Sequence, residues 1–103
     1  MTTNLQLGNM RVQGKDEIIV YVLDVSARAV APTTPSVTKV IDLETGSDVK
    51  ATVMPLGAAS ISGNNITLPA LKLLTVGRTY RVHFTYIKGG DTFESVILVR
   101  CNY

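Results

Sequence analysis

His83 and Cys101 are the only imidazole and the only thiol in the chain, so any thiol–imidazole nucleophile has to be assembled from these two. A cysteine nucleophile needs its base within hydrogen-bond reach. The alternating runs TYRVHFTYI and TFESVILV flank Lys88-Gly89-Gly90-Asp91, which reads as a hairpin with a four-residue loop and Ile87 opposite Thr92. That register sets Tyr86 against Phe93, Phe84 against Ser95, Val82 against Ile97 and Tyr80 against Val99, a nearly continuous apolar face turned to the core. His83 then points outward opposite Val96 and Cys101 points inward, so the two do not meet. Each reads as structural: a surface histidine and a small buried hydrophobe.

Other chemistry is thinner still. Asp42, Glu44 and Asp48 bracket a turn at Gly46 and offer oxygen atoms to a cation, but they lack the alternating acidic ligands of a dedicated calcium loop. Acidic residues at such turns accept bonds from their own backbone. Gly89-Gly90 leads into no helix and so makes no phosphate cradle. The serines have no G-x-S-x-G setting. The expectation is a chain that is not an enzyme, with no catalytic residue, no metal and no cofactor.

Charge points the same way. Ten basic and eight acidic residues are scattered without blocks, which argues against nucleic acid, whose phosphates require clustered cations. Arg78, Arg81 and Arg100 come near one another in the terminal hairpin and read as solvated strand-edge charges. A single cysteine excludes an intramolecular disulfide and fits synthesis in a reducing cytosol. Residues 1–14 lack the pattern of a signal peptide, and the longest apolar run, residues 18–23, is far short of the roughly 20 residues that span a bilayer. We expect no membrane partner.

The elements that must position these residues are strands. At 103 residues the chain suits one domain. Residues 17–25, EIIVYVLDV, are β-branched and aromatic throughout. Residues 1–16 form a polar arm with Leu5, Leu7, Met10 and Val12 near period two, either a weak strand or an extension that pairs with a partner. Pro32 and Pro35 mark a connector or edge segment. Strands follow at residues 36–43 and 49–54, the latter with Val49, Ala51 and Val53 on one face, and Gly63-Asn64 closes a hairpin. No helix is expected. Strand spacing near 8–12 residues gives an all-β sandwich over residues 17–103.

Two strands carry apolar residues on both faces. Val96 and Leu98 fall on the outer side of the terminal hairpin. In residues 17–25, Ile18, Val20 and Val22 share one face while Ile19, Tyr21, Leu23 and Val25 share the other. Antiparallel sandwich sheets ordinarily wet their outer face. Ile19, Tyr21, Leu23, Val96 and Leu98 are therefore the expected contact surface, covered by the arm, a neighbouring subunit or another protein. Burying such side chains contributes about 1.5–3 kcal/mol each.

Leu74, Gly77 and Tyr80, followed by Val82 and Phe84, resemble the corner before the sixth strand of fibronectin type III and other immunoglobulin-like domains. There a tyrosine hydroxyl bonds back to the chain just upstream. The wider stretch SVTKVIDLETGSDV, SISGNNITLPAL and LTVGRTYRVHFTYIKGGDTFES resembles small immunoglobulin-like virion proteins of tailed bacteriophages. This resemblance implies an immunoglobulin-like, fibronectin type III-like antiparallel β-sandwich with an N-terminal arm. It also implies synthesis in the host cytoplasm, no cofactor, and attachment to the capsid surface in many copies as a head decoration or cement protein. The implied partner is the major capsid protein or another virion protein, with a homotrimer as one assembly state. The alternative is a carbohydrate-binding or adhesin-type module of a tail, fibre or cell surface. A chain without tryptophan and with six aromatic residues is poorly equipped for that alternative.

Overall fold

The computed structural model describes residues 5–6, 10–55 and 57–103. The strands are β1 (Leu5–Gln6), β2 (Arg11–Gln13), β3 (Val22–Asp24), β4 (Thr33–Asp42), β5 (Ser47–Asp48), β6 (Ser60–Ser62), β7 (Asn65–Thr67), β8 (Thr79–Lys88) and β9 (Asp91–Cys101), with one short helix, α1 (Lys50–Val53). Two sheets form an all-β sandwich. The larger runs β9-β8-β4-β5, with β1 and β2 both parallel to β9 along its outer edge, and the smaller runs β3-β7-β6. Leu7 of the expected arm pattern lies outside the described residues.

The β8–β9 hairpin has the register that its alternating side chains demand, with Tyr86 opposite Phe93, Val82 opposite Ile97 and Tyr80 opposite Val99. Its loop is shorter than the four residues expected. Lys88 pairs with Asp91, and Gly89 and Gly90 alone make the turn at φ +61° and +85°. Both central residues of this hairpin turn need positive φ, which matches the right-handed twist of the strands and which glycine supplies without strain.

Of the two expectations for residues 33–35, connector or edge segment, the structure has the second: they begin β4. β4 borders β8 on one side and meets β5 only at Ile41 and Asp42, so Pro35 sits where the other edge is open. Its missing N–H removes no ladder bond there, and the register shift between Thr33 and Ser36 absorbs the ring. Residues 50–53 differ from expectation, as a helical turn in place of a strand. Asp48 Oδ1 accepts the N–H of Lys50 (3.0 Å) and of Val40 (3.2 Å), which turns the chain back after β5. That turn drops Val53 and Met54 into the core. Period two in VKATV yielded to tertiary packing.

The core lies between the sheets. Tyr80, Val82, Phe84, Tyr86, Ile97 and Val99 come from the larger sheet, Leu23 and Ile66 from the smaller, and Leu71 and Leu74 from the connection between β7 and β8. Tyr86 and Ser95 satisfy each other's hydroxyls at 2.7 Å, so neither polar group is left bare in this apolar layer. The Thr75 N–H donates to Tyr80 Oη at 2.8 Å, and Gly77, at φ +89°, donates its N–H to the Cys101 carbonyl at 2.8 Å. These two bonds fix where the chain crosses from one sheet to the other.

Tyr80→Phe removes only the hydroxyl. It should destabilise the domain by about 0.5–1.5 kcal/mol, the net worth of one hydrogen bond. Urea unfolding should show a lower midpoint with unchanged m-value.

Candidate functional site

In residues 17–25 the side chains that face the core are the odd-numbered ones. Ile19 exchanges two backbone bonds with Leu71, the Leu68 N–H donates to the Tyr21 carbonyl, and the Val25 N–H donates to the Asn64 carbonyl. Leu23 is buried, while Ile19 and Tyr21 are half-buried, with Tyr21 packed on the core. This corrects the expected surface: Ile19, Tyr21 and Leu23 do not make an outward apolar face. The outward residues are Ile18, Val20 and Val22, which are 65%, 54% and 57% exposed. Four apolar residues stand on one face and three on the other, a margin by which hydrophobicity alone could barely have chosen between them. Charge could have: Asp16 and Asp24 share the parity of Ile18, Val20 and Val22, and both are exposed.

The strip also lies on an edge. β3 pairs only with β7 among the described elements, with Leu23 opposite Ile66 in phase with the bonded residues Tyr21 and Val25. In an antiparallel ladder successive residues turn their N–H and C=O groups to alternate sides. Those of Val22 and Asp24 consequently point away from β7, along the free edge. The three apolar side chains thus lead into a strand edge whose Val22 and Asp24 backbone groups have no strand partner among the described residues, the condition in which an edge can accept another chain.

On the larger sheet the outer apolar positions are only partly open. Val96 is 5% exposed within the chain itself, which corrects its expected role as a contact residue open to a partner, and Leu98 is half-buried. Val96 sits between its register partners His83 on β8 and Gln6 on β1, so the arm extends the sheet as an edge strand instead of lying across it. Val12, opposite Arg100, is half-exposed beside this face.

A polar clamp absent from the sequence reading ties arm to body. Gln13 is fully buried; its Nε2 donates to the carbonyls of Leu71 (2.7 Å) and Glu17 (3.0 Å), and its Oε1 accepts from Tyr21 Oη at 3.0 Å. The Arg11 guanidinium stands 5.8 Å from the Tyr21 ring centroid. Burial pushes the Tyr21 phenol above its ordinary range, with Arg11 opposing that shift. Next door, the Gly14 N–H donates to Glu17 Oε1 at 2.6 Å, and Tyr103 folds over the same spot, its hydroxyl donating to Glu17 Oε1 at 3.1 Å. A Cβ on Gly14 would stand 2.6 Å from the Tyr103 ring, so glycine is required for this closure. These contacts place residues 17–22, and with them the exposed strip.

The candidate chemical groups are occupied or apart. His83 and Cys101 lie on opposite faces of the larger sheet, and Cys101 is buried. Asp42 is buried, with Oδ2 on the Arg78 guanidinium at 2.6 Å and Oδ1 accepting the Glu44 N–H at 2.9 Å. Among the described residues no group of three or more His, Cys, Asp or Glu is arranged to hold a metal ion. The cavity between Asp42, Thr52, Leu73 and Arg78 holds about 120 Å³. That is below the roughly 300–1,000 Å³ of ordinary small-molecule sites. No helix among the described residues is long and apolar enough to cross a membrane. No family model, curated protein or solved structure matches the chain.

Gln13→Ala leaves two buried carbonyls and one hydroxyl without their partner. It should destabilise the protein by about 1–3 kcal/mol and speed amide exchange in residues 11–13, measured by hydrogen exchange.

Proposed function

We propose that this chain is a non-enzymatic structural protein of a bacteriophage virion, a decoration or cement protein that docks on the capsid surface in many copies. The observation that carries the reading is the exposed strip of Ile18, Val20 and Val22, which leads into β3 at a sheet edge with no strand partner among the described residues. Full burial of such a side chain contributes about 1.5–3 kcal/mol, and roughly half of each remains to be buried, so the strip supplies about 2–4 kcal/mol per copy. Association costs an estimated 4–15 kcal/mol in lost freedom. One copy holding on by the strip alone would bind weakly. Copies joined to one another, as in a homotrimer whose strips engage the shell together, would convert the same contact into firm attachment.

The strand order supports an immunoglobulin-like form of the sandwich. β4, β8 and β9 stand in one sheet as the third, sixth and seventh strands of such a domain, and β3, β7 and β6 in the other as its second, fifth and fourth. The major capsid protein, or another virion protein, is the proposed partner, and the capsid surface the proposed location. The carbohydrate-binding alternative requires an open aromatic platform. Tyr21 and Phe93 are instead partly buried and capped by Arg11 and Arg28, the latter 5.2 Å from the Phe93 ring centroid.

Co-sedimentation with undecorated phage heads tests the reading. Wild type should pellet with the heads, and Val20→Asp combined with Val22→Asp should stay in the supernatant. The double variant should melt within a few degrees of wild type, because both positions are solvent-facing. A wild type that never pellets, or a variant that pellets equally well, refutes the proposal.

A further inference from the structure

We propose that His83 is an acid-operated latch on the outer face of the larger sheet: neutral, it holds the Arg81 guanidinium; protonated, it releases Arg81 and takes Glu94. The inference stands whether or not the chain belongs to a virion. It rests on a side chain that the hairpin alternation turns outward and that the structure nonetheless buries, His83 being 2% exposed.

The geometry fixes the tautomer. Arg81 Nε–H donates to His83 Nε2 at 2.8 Å. A ring nitrogen that accepts a hydrogen bond carries no proton, so the neutral imidazole holds its proton on Nδ1. Nδ1 lies 3.6 Å from Glu94 Oε2, too far for a hydrogen bond, and is the one buried side-chain nitrogen or oxygen without a partner among the described residues. His83 therefore spends its acceptor and leaves its donor idle, an arrangement that an added proton inverts.

Each packed strand contributes one charge. Arg81 is on the same strand, Lys39 stands opposite on β4, and Glu94 reaches from β9. Burial and the Arg81 charge hold the imidazole below its ordinary range; Glu94 opposes them and Lys39 adds to them. When a solvent proton binds Nε2, two N–H donors face each other across 2.8 Å, and the Arg81 bond cannot persist. The imidazolium then attracts the Glu94 carboxylate, and Nδ1–H closes on Oε2. Arg81 is the register partner of Leu98, so its departure changes charge and cover on the outer face at that residue. The sign follows from linkage. With the folded value below 6.5, the unfolded chain takes up the proton first, so this contribution is complete above that pH and is lost as pH falls.

Nitrogen-15 NMR of the folded full chain between pH 8 and pH 4 tests the latch. At pH 8 the ring should be the Nδ1–H tautomer, and the titration midpoint should fall below 6.5. The Arg81 Nε–H signal should lose its hydrogen-bonded shift with the same midpoint. Glu94→Gln, at a partly exposed position, should lower the midpoint further, and Arg81→Met should raise it. Mixed tautomers at pH 8, an Arg81 signal that ignores the titration, or a midpoint unmoved in Glu94→Gln would each overturn the proposal.

Discussion

Ten consecutive residue pairs, from Thr79 with Arg100 to Lys88 with Asp91, join β8 to β9, and every other strand of the larger sheet except β5, which pairs with β4, leans on one of these two. β4 takes the free edge of β8, and β1 and β2 take the free edge of β9. A slip of one residue in this ladder would turn Tyr80, Val82, Phe84 and Tyr86 to water and bring Arg81, His83 and Thr85 inside. Gly89-Gly90 prevents it, because a two-residue turn leaves no slack with which to re-pair the strands. The outer-face position of His83, the inward position of Cys101 and the docking line for the arm are all set by that turn.

The arm shows how a polar residue settles an apolar ambiguity. Residues 17–25 are apolar on both faces, with four such side chains at odd positions and three at even ones, so burial alone separates the two packings only narrowly. Gln13 widens the margin. Its amide needs two acceptors and one donor inside the protein, and it finds them in Leu71, Glu17 and Tyr21 only when Tyr21 turns inward. Buried amides are intolerant of partial satisfaction, so this network specifies one packing where hydrophobicity would accept two. The exposed strip is the remainder of that choice.

Much of the fold was legible because its signals are local. The period-two alternation of residues 80–99 defines both strands and their register, and the spacing of turn residues defines the all-β class. What escaped depends on distant partners. Residues 50–53 alternate like a strand and fold as a helical turn because Asp48 reaches back to Val40. The strand at residues 33–35 needs β8 beside it to become one. The candidate site was half legible: an apolar excess on residues 17–25 is plain in the composition, whereas its outward half is marked only by the parity of Asp16 and Asp24 and is fixed by Gln13, eight residues from Tyr21. Val96 takes its expected outer-face position opposite His83, but its burial within the chain was not legible from the alternation of β9 alone.

Parallel pairing of β2 with β9 has a mechanical consequence. Tension applied through the arm and through the residues after β9 pulls the two strands in opposite directions along their shared axis, so Arg11–Gln13 and Val99–Cys101 are loaded in shear. Their bonds must then rupture together instead of unzipping one at a time. The ladder between β1 and the Ser95–Val96 segment is loaded in the same sense. A domain wired this way resists stretching between its ends more than its small size implies.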